Sequence, residues 1–224
     1  MIAVSSHRKH GKTLCVYRKN QIRAKESWER YFDQIIYFGP VEPALVSDKT
    51  FFIPSDNWPF IRDMAAEASR QPSEFVAIVN ADIVVTQPIR QIEGIMRASG
   101  MKAVSSRRRD MQTRKLLDND KGRDIFICTP HVWSRVAANV PATCRIGHQQ
   151  WDSWMIAFLR TTLQNRFGEF TRIPCIYHPR HSGRNMPHAV DISCSKYQIS
   201  TFRNDPQLVL DEPKLKKPLT TLQE

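Results

Sequence analysis

Cysteine is sparse in this 224-residue chain, with five residues at positions 15, 128, 144, 175 and 194 and no C-x-x-C pair. An odd number without paired spacing argues against a disulfide framework. Cys128, Cys144 and Cys175 fall in or beside apolar segments and read as buried thiols. A reducing, cytoplasmic setting is the expectation. Glycine is scarcer than usual, eight residues in all, and no glycine-rich loop opens the chain. Long apolar runs are missing too: none approaches the roughly 20 residues that a bilayer-spanning helix needs. The first eight residues, MIAVSSHR, lack the apolar core of a signal peptide. The expectation is a chain with no membrane anchor. Acidic residues are the last deficit, 22 against 33 Lys and Arg, for a net charge of +11. That imbalance favours polyanionic partners such as nucleic acid, an anionic membrane surface or phosphorylated substrates. A merely solvated basic surface would give the same count.

What is present points to one α/β domain. Phe75-Val76-Ala77-Ile78-Val79 is an unbroken apolar run that meets Asn80-Ala81-Asp82, and Ile83-Val84-Val85 follow. Such a run reads as a strand buried on both faces, as in a parallel sheet. A carboxylate at its carboxyl end would lie where open α/β sheets bind ligands, and oxygen donors there suit a hard divalent cation. Local turn hydrogen bonds of Asn80 and Asp82 are the plainer alternative.

Strands and helices alternate along the rest of the chain. Ile2–Val4, Gln34–Phe38, Phe51–Ile53, Phe75–Asn80, Ala103–Ser105, Asp124–Cys128 and Ile173–Tyr177 read as strands. Gln21–Phe32, Trp58–Arg70, Pro88–Ser99, Pro130–Asn139 and Gln149–Leu163 read as helices, with Pro59 in the first turn of its helix. This alternation predicts a mainly parallel central sheet with helices on both faces. Residues 1–203 are expected to form the domain, and 204–224 a polar, proline-containing tail.

The order of four segments carries a resemblance. Asn80-Ala81-Asp82 ends a buried strand, and Gly122-Arg123-Asp124 stands immediately before one. Trp151-Asp152-Ser153-Trp154 opens a helix, and His178-Pro179-Arg180-His181 follows the final strand. Together with Ser27-Trp28 and Arg30-Tyr31-Phe32-Asp33 leading into Ile35–Phe38, this order resembles nucleotide-sugar glycosyltransferases of the GT-A fold. The likeness is to compact members with an N-x-D version of the D-x-D motif, and it covers roughly residues 1–185. It implies a single Rossmann-like GT-A domain and transfer of a sugar from a nucleotide-sugar donor, a UDP-sugar foremost, to a hydroxyl acceptor. Asp82 would then bind Mn²⁺ or Mg²⁺ bridging the donor diphosphate, with Asn80 in place of the usual first Asp and set toward the ribose or a metal-bound water. His178 or His181 would complete the metal coordination. Asp152 matches the carboxylate that serves as general base in inverting members, and Trp151 and Trp154 would stack on sugar or shield that carboxylate from water. A helix N-terminal Asp stabilised by the helix dipole is the structural alternative for Asp152. Arg107 and Arg108, after a strand, suit the donor phosphates or the acceptor, and Asp124 has the weaker claim to a catalytic role.

Ser6-His7-Arg8-Lys9-His10-Gly11-Lys12-Thr13 imitates a phosphate-binding loop. That loop needs Gly at the place of Ser6 and a helix directly after G-K-T, whereas Leu14-Cys15-Val16-Tyr17 reads as extended. A sugar nucleotidyltransferase would share the sheet but open with a glycine-rich loop. The charge favours a polyanionic acceptor, hydroxymethylated bases in DNA being the first expectation, with an arginine cluster at 107–109 to hold the backbone. A base of that kind must be flipped out of the duplex to react. A polysaccharide or protein acceptor is the runner-up, and a non-catalytic basic nucleic-acid-binding module the reading from another class. Sequence leaves the oligomeric state open.

Overall fold

The computed structural model describes residues 1–7, 15–55, 59–116, 123–147 and 151–179. The elements in chain order are β1 (Ile2–Ser6), α1 (Cys15–Trp28), β2 (Gln34–Phe38), β3 (Thr50–Ile53), α2 (Ile61–Arg70), β4 (Val76–Val79) and β5 (Val84–Val85). They continue as α3 (Ile89–Ser99), β6 (Ala103–Arg107), β7 (Arg109–Asp110), β8 (Arg123–Cys128), α4 (Pro130–Asn139), α5 (Trp151–Leu163), β9 (Phe167–Glu169) and β10 (Ile176–His178).

Seven strands form one sheet in the order β3-β2-β1-β4-β8-β6-β9. The pairings β1–β2, β2–β3, β1–β4 and β6–β9 are parallel, whereas β8 runs antiparallel to both β4 and β6. The sheet is therefore mainly parallel, with one reversed strand inside it. A second, three-stranded sheet has the order β5-β10-β7.

Side chains of the central strands alternate between two apolar layers, as a pleat of period two requires. Val4, Ile36, Phe38, Val76, Ile78, Phe126 and Cys128 pack in one layer with Met64 of α2, Trp133 of α4 and Met155 of α5. Ala3, Ile35, Tyr37, Ala77, Val79, Ile125 and Ile127 pack in the other with Trp28 of α1 and Ile92 and Met96 of α3. Helices thus cover both faces, and strands buried on both sides need the near-continuous apolar runs seen in the sequence. Two buried tryptophans also satisfy their N–H groups: Trp133 donates to the Val76 carbonyl at 2.8 Å and Trp28 to the Ile83 carbonyl at 2.6 Å.

Several boundaries differ from the sequence expectation. Helix α1 begins at Cys15, where an extended segment was expected, so one of the two objections to a phosphate-binding loop falls and the missing glycine at Ser6 remains. Residues 8–14 between β1 and that helix lie outside the described residues, as does the expected tail at 204–224. Helix α2 starts at Ile61, and Pro59 stays outside it because Phe60 is extended (φ −71, ψ 139). The Pro59 carbonyl instead accepts the Ile146 N–H at 3.2 Å, and the Ile61 N–H donates to the Cys144 carbonyl at 2.9 Å. Strands β5, β7 and β9 were not anticipated as separate elements, and β10 begins at Ile176 rather than Ile173.

Gly39 closes β2 with φ +146. A Cβ there would lie 2.2 Å from the His7 carbonyl oxygen, backbone that has no free direction of retreat. The close approach lets the His7 N–H reach the Phe38 carbonyl at 2.8 Å and the Gly39 N–H reach the Ile53 carbonyl at 3.0 Å. Gly39→Ala should therefore destabilise the fold by at least about 1–3 kcal/mol. Urea unfolding checks this, and an unchanged midpoint with an unchanged slope would contradict it.

Candidate functional site

The reversal of β8 decides which residues meet. Val79 pairs with Ile125, so Asp124, just inside the start of β8, lies opposite Asn80, just past the end of β4. The Asn80 N–H donates to the Asp124 carbonyl at 2.9 Å, and the Asn80 side-chain amide donates to Asp124 Oδ1. The chain turns at once: the Ile83 N–H returns to the Asn80 carbonyl at 3.1 Å, and Trp28 holds the Ile83 carbonyl. Asp82 sits in this turn.

His178 comes to the same place through the small sheet. β10 pairs antiparallel with β5, Tyr177 opposite Val84, and parallel with β7, His178 opposite Asp110. The Met111 N–H donates to the His178 carbonyl at 3.1 Å, and the Thr86 N–H to the Cys175 carbonyl at 3.0 Å. Asp110 stiffens the neighbouring turn by accepting the N–H groups of Gln112 and Thr113 at 2.9 and 2.7 Å. The outcome is an Asp82 Oδ2 to His178 Nε2 separation of 3.2 Å, both side chains partly accessible.

Arg108 enters from the third side. Strand β6 shifts register between Ser106 and Arg107, an irregularity of the kind that re-aims a strand end. Beyond it Arg108 Nη1 lies 3.0 Å from Asp124 Oδ2. Burial pushes the Asp124 carboxyl above its ordinary value, while Arg108 and His178 pull it back and Asp82 adds to the rise. Arg107 flanks the same bulge, with its backbone N–H on Thr171 Oγ1 at 3.0 Å. Arg109 is turned to the backbone, bonding the carbonyls of Arg114 and Thr171 at 3.3 and 3.4 Å, and Arg114 lies over the Tyr177 ring. Arg108 and Arg109 thus have different partners, a carboxylate and backbone carbonyls, so the run is not a uniform solvated patch.

Asp152 stands in the first turn of α5 and accepts the Arg123 N–H at 2.8 Å and the Ser153 N–H at 2.9 Å. The first bond joins the start of α5 to the residue before Asp124. Arg123 is itself buried, its guanidinium 2.6 Å from Glu169 Oε1, an oxygen that Arg160 also approaches at 3.4 Å. Trp151 and Trp154 are 4% and 1% exposed. Trp151 packs edge-on to Phe126 and Trp154 stacks on Phe158. These rings belong to the core, so the expected stacking on a sugar is corrected.

The structure thus brings Asn80, Asp82, Arg108 and His178 together, with Asp152 one backbone contact away. His181 and Arg180 lie outside the described residues. Among the described residues no group of three or more His, Cys, Asp or Glu side chains is arranged to hold a metal ion. Asp82 and His178 offer two donors side by side, a carboxylate oxygen and an imidazole nitrogen. Asp124 and Glu169 are the two carboxylates that pair with the arginines of this region. Asp124 was signalled by Gly-Arg-Asp before an apolar strand, but Glu169 had no pattern around it.

Burial also lifts the Asp152 carboxyl, and the backbone N–H bonds only partly oppose the rise. A carboxyl with a higher value in the folded chain binds its proton more tightly there. Stability therefore falls as pH rises from the unfolded carboxylate value, about 4, through the raised folded value. Asp152→Asn removes this titration, so its stability relative to the parent should rise across that window and level off above it. Urea unfolding of both chains at several pH values checks the trend, and a difference constant with pH would contradict it.

No protein-family model matches the chain, and no curated protein matches it. Solved structures do. Staphylococcus aureus TarS 1–349 in complex with UDP-GlcNAc superposes with a TM-score of 0.59 at 10% identity, covering 91% of this chain and 66% of that one. TarS 1–349 without a named ligand gives 0.55 at 9% identity, covering 80% and 60%. A CMP:2-keto-3-deoxy-manno-octonic acid synthetase complexed with CTP, at 9% identity over 91% and 98%, reaches only 0.47, too loose to argue from. The chain thus spans about two thirds or less of the solved TarS chain. At these identities the likeness shows the fold: a single Rossmann-like α/β domain like that of a protein solved with UDP-GlcNAc.

Proposed function

We propose that this chain is a metal-dependent glycosyltransferase that uses a nucleotide-sugar donor, a UDP-sugar foremost. The observation that carries the reading is the meeting of Asp82, His178 and Arg108 where β4 ends. In a mainly parallel sheet that end is the place where ligands bind. The donor set fits a divalent cation: a carboxylate oxygen and an imidazole nitrogen 3.2 Å apart can share one coordination sphere. Asp82 and His178, with His181 as a further candidate, would hold Mn²⁺ or Mg²⁺. When bound, that ion would neutralise charge on the departing diphosphate.

The chain's own residues supply the rest. Arg108, with Arg107 beside it, presents guanidinium forks to phosphate oxygens. Asn80 keeps its side-chain nitrogen on Asp124, which would turn its side-chain oxygen, Oδ1, to a ribose hydroxyl or a metal-bound water. Asp152 takes the proton from the acceptor hydroxyl as that oxygen attacks the anomeric carbon. A carboxylate has room for a further hydrogen beyond its two backbone N–H bonds. Burial raises its pKa, which makes the ionised carboxylate a stronger base.

For the acceptor, the excess of 33 basic over 22 acidic residues supports a polyanion, and a hydroxymethylated base in DNA is the proposed case. A polysaccharide or protein acceptor is what remains if DNA does not bind.

Two variants separate binding from chemistry. Asp82→Ala should lose Mn²⁺-dependent UDP binding in calorimetry while staying folded. Asp152→Asn should bind donor as the parent does yet turn over roughly a hundredfold more slowly or worse. Equal UDP affinity in the first variant, or near-parental turnover in the second, would contradict the assigned role. The acceptor has its own check: duplex DNA affinity should fall linearly on a log–log salt plot. Arg107→Gln should flatten that slope by about one unit if Arg107 meets a phosphate. Absence of duplex binding even at low salt would shift the acceptor to a glycan or protein.

A further inference from the structure

Position 80 carries an amide, so the turn after β4 contributes one carboxylate, Asp82. A second carboxylate reaches the same turn from the neighbouring strand. The antiparallel register of β8 sets Asp124 opposite Asn80, and two hydrogen bonds join them, one backbone and one side chain. Asp124 Oδ2 then faces Arg108 at 3.0 Å. Asp124 is 4% exposed, whereas the Asp82 side chain is 20% exposed. The buried carboxylate stands within electrostatic reach of both Asp82 and His178. Charges in such a partly dry place interact far more strongly than in water.

We infer that Asp124 is the second negative charge of the site, delivered across the sheet from β8 instead of along the chain from position 80. It raises the affinity for a divalent cation at Asp82 and His178 by its charge and by orienting Asn80, without ligating the ion. It is a positioning residue, and the inference rests on the nucleotide-sugar reading above. The competing role is an ion pair that serves Arg108 alone.

The test is Mn²⁺ binding, followed by electron paramagnetic resonance of the free ion, in the presence of UDP. Asp124→Asn should weaken Mn²⁺ about 10- to 100-fold. The double variant Asn80→Asp with Asp124→Asn keeps the cross-strand hydrogen bond and the net charge, so it should recover most of that loss. Arg108→Gln should weaken UDP without weakening Mn²⁺. Should Asp124→Asn fail to fold, the double variant carries the test alone and must bind Mn²⁺ close to the parent. Parental Mn²⁺ affinity in Asp124→Asn overturns the inference. So does a folded double variant as weak as the single one, or an Asp124→Asn variant that loses only UDP affinity as Arg108→Gln does. A parent chain that binds no Mn²⁺ at all would instead remove the metal-dependent reading, and this inference with it.

Discussion

One reversed strand governs the site. In the central sheet, β8 lies between β4 and β6 and runs against both. Its beginning therefore falls where β4 and β6 end, and residues far apart in sequence are set side by side by backbone pairing. Asn80 meets Asp124 across that pairing, Arg108 meets Asp124 beyond the bulge in β6, and Asp152 meets the Arg123 N–H. Had β8 run parallel, Asp124 and Arg123 would stand at the opposite edge and these contacts would be lost.

Buried charge is expensive unless it is paired and hydrogen-bonded. Asp124 has both an arginine and an amide, Arg123 has Glu169, and Glu169 also has Arg160. The carboxylates of both groups, Asp124 in β8 and Glu169 in β9, are anchored on strands, which hold side chains more firmly than loops do. The core reinforces it from behind, since Trp28 holds the carbonyl of Ile83 in the Asp82 turn and Phe126 packs on Trp151 beside Asp152. Preorganised charges of this kind need little rearrangement when charge develops on a substrate. The same burial that fixes the site also raises the carboxyl of Asp152.

Much of this was legible in the amino-acid sequence. β2 and α4 fall at the expected residues, the apolar run before Asn80 forms β4, and His178, one of the two histidines singled out, lies 3.2 Å from Asp82. The direction of β8 was not legible, because an apolar run such as Ile125-Phe126-Ile127-Cys128 reads the same either way. That is why Asp124 looked peripheral. The start of α1 was missed because Cys15, Val16 and Tyr17 have poor helix propensity, which is only a weak preference. Trp151 and Trp154 looked available to a sugar because periodicity gives the apolar face of a helix but does not say what covers it. Glu169 ends a three-residue strand, too short for any pattern.

The central claim is that a nucleotide sugar binds at the end of β4 in a metal-dependent way. Thermal unfolding of the parent chain with UDP-sugars and other nucleotide sugars, each with Mn²⁺ and with chelator, tests it most directly, because a ligand that binds the folded state raises its apparent stability by mass action. The account predicts that at least one nucleotide sugar raises the midpoint with Mn²⁺ present and that chelator abolishes the rise. No shift with any nucleotide sugar, or a shift unchanged by chelator, would contradict it.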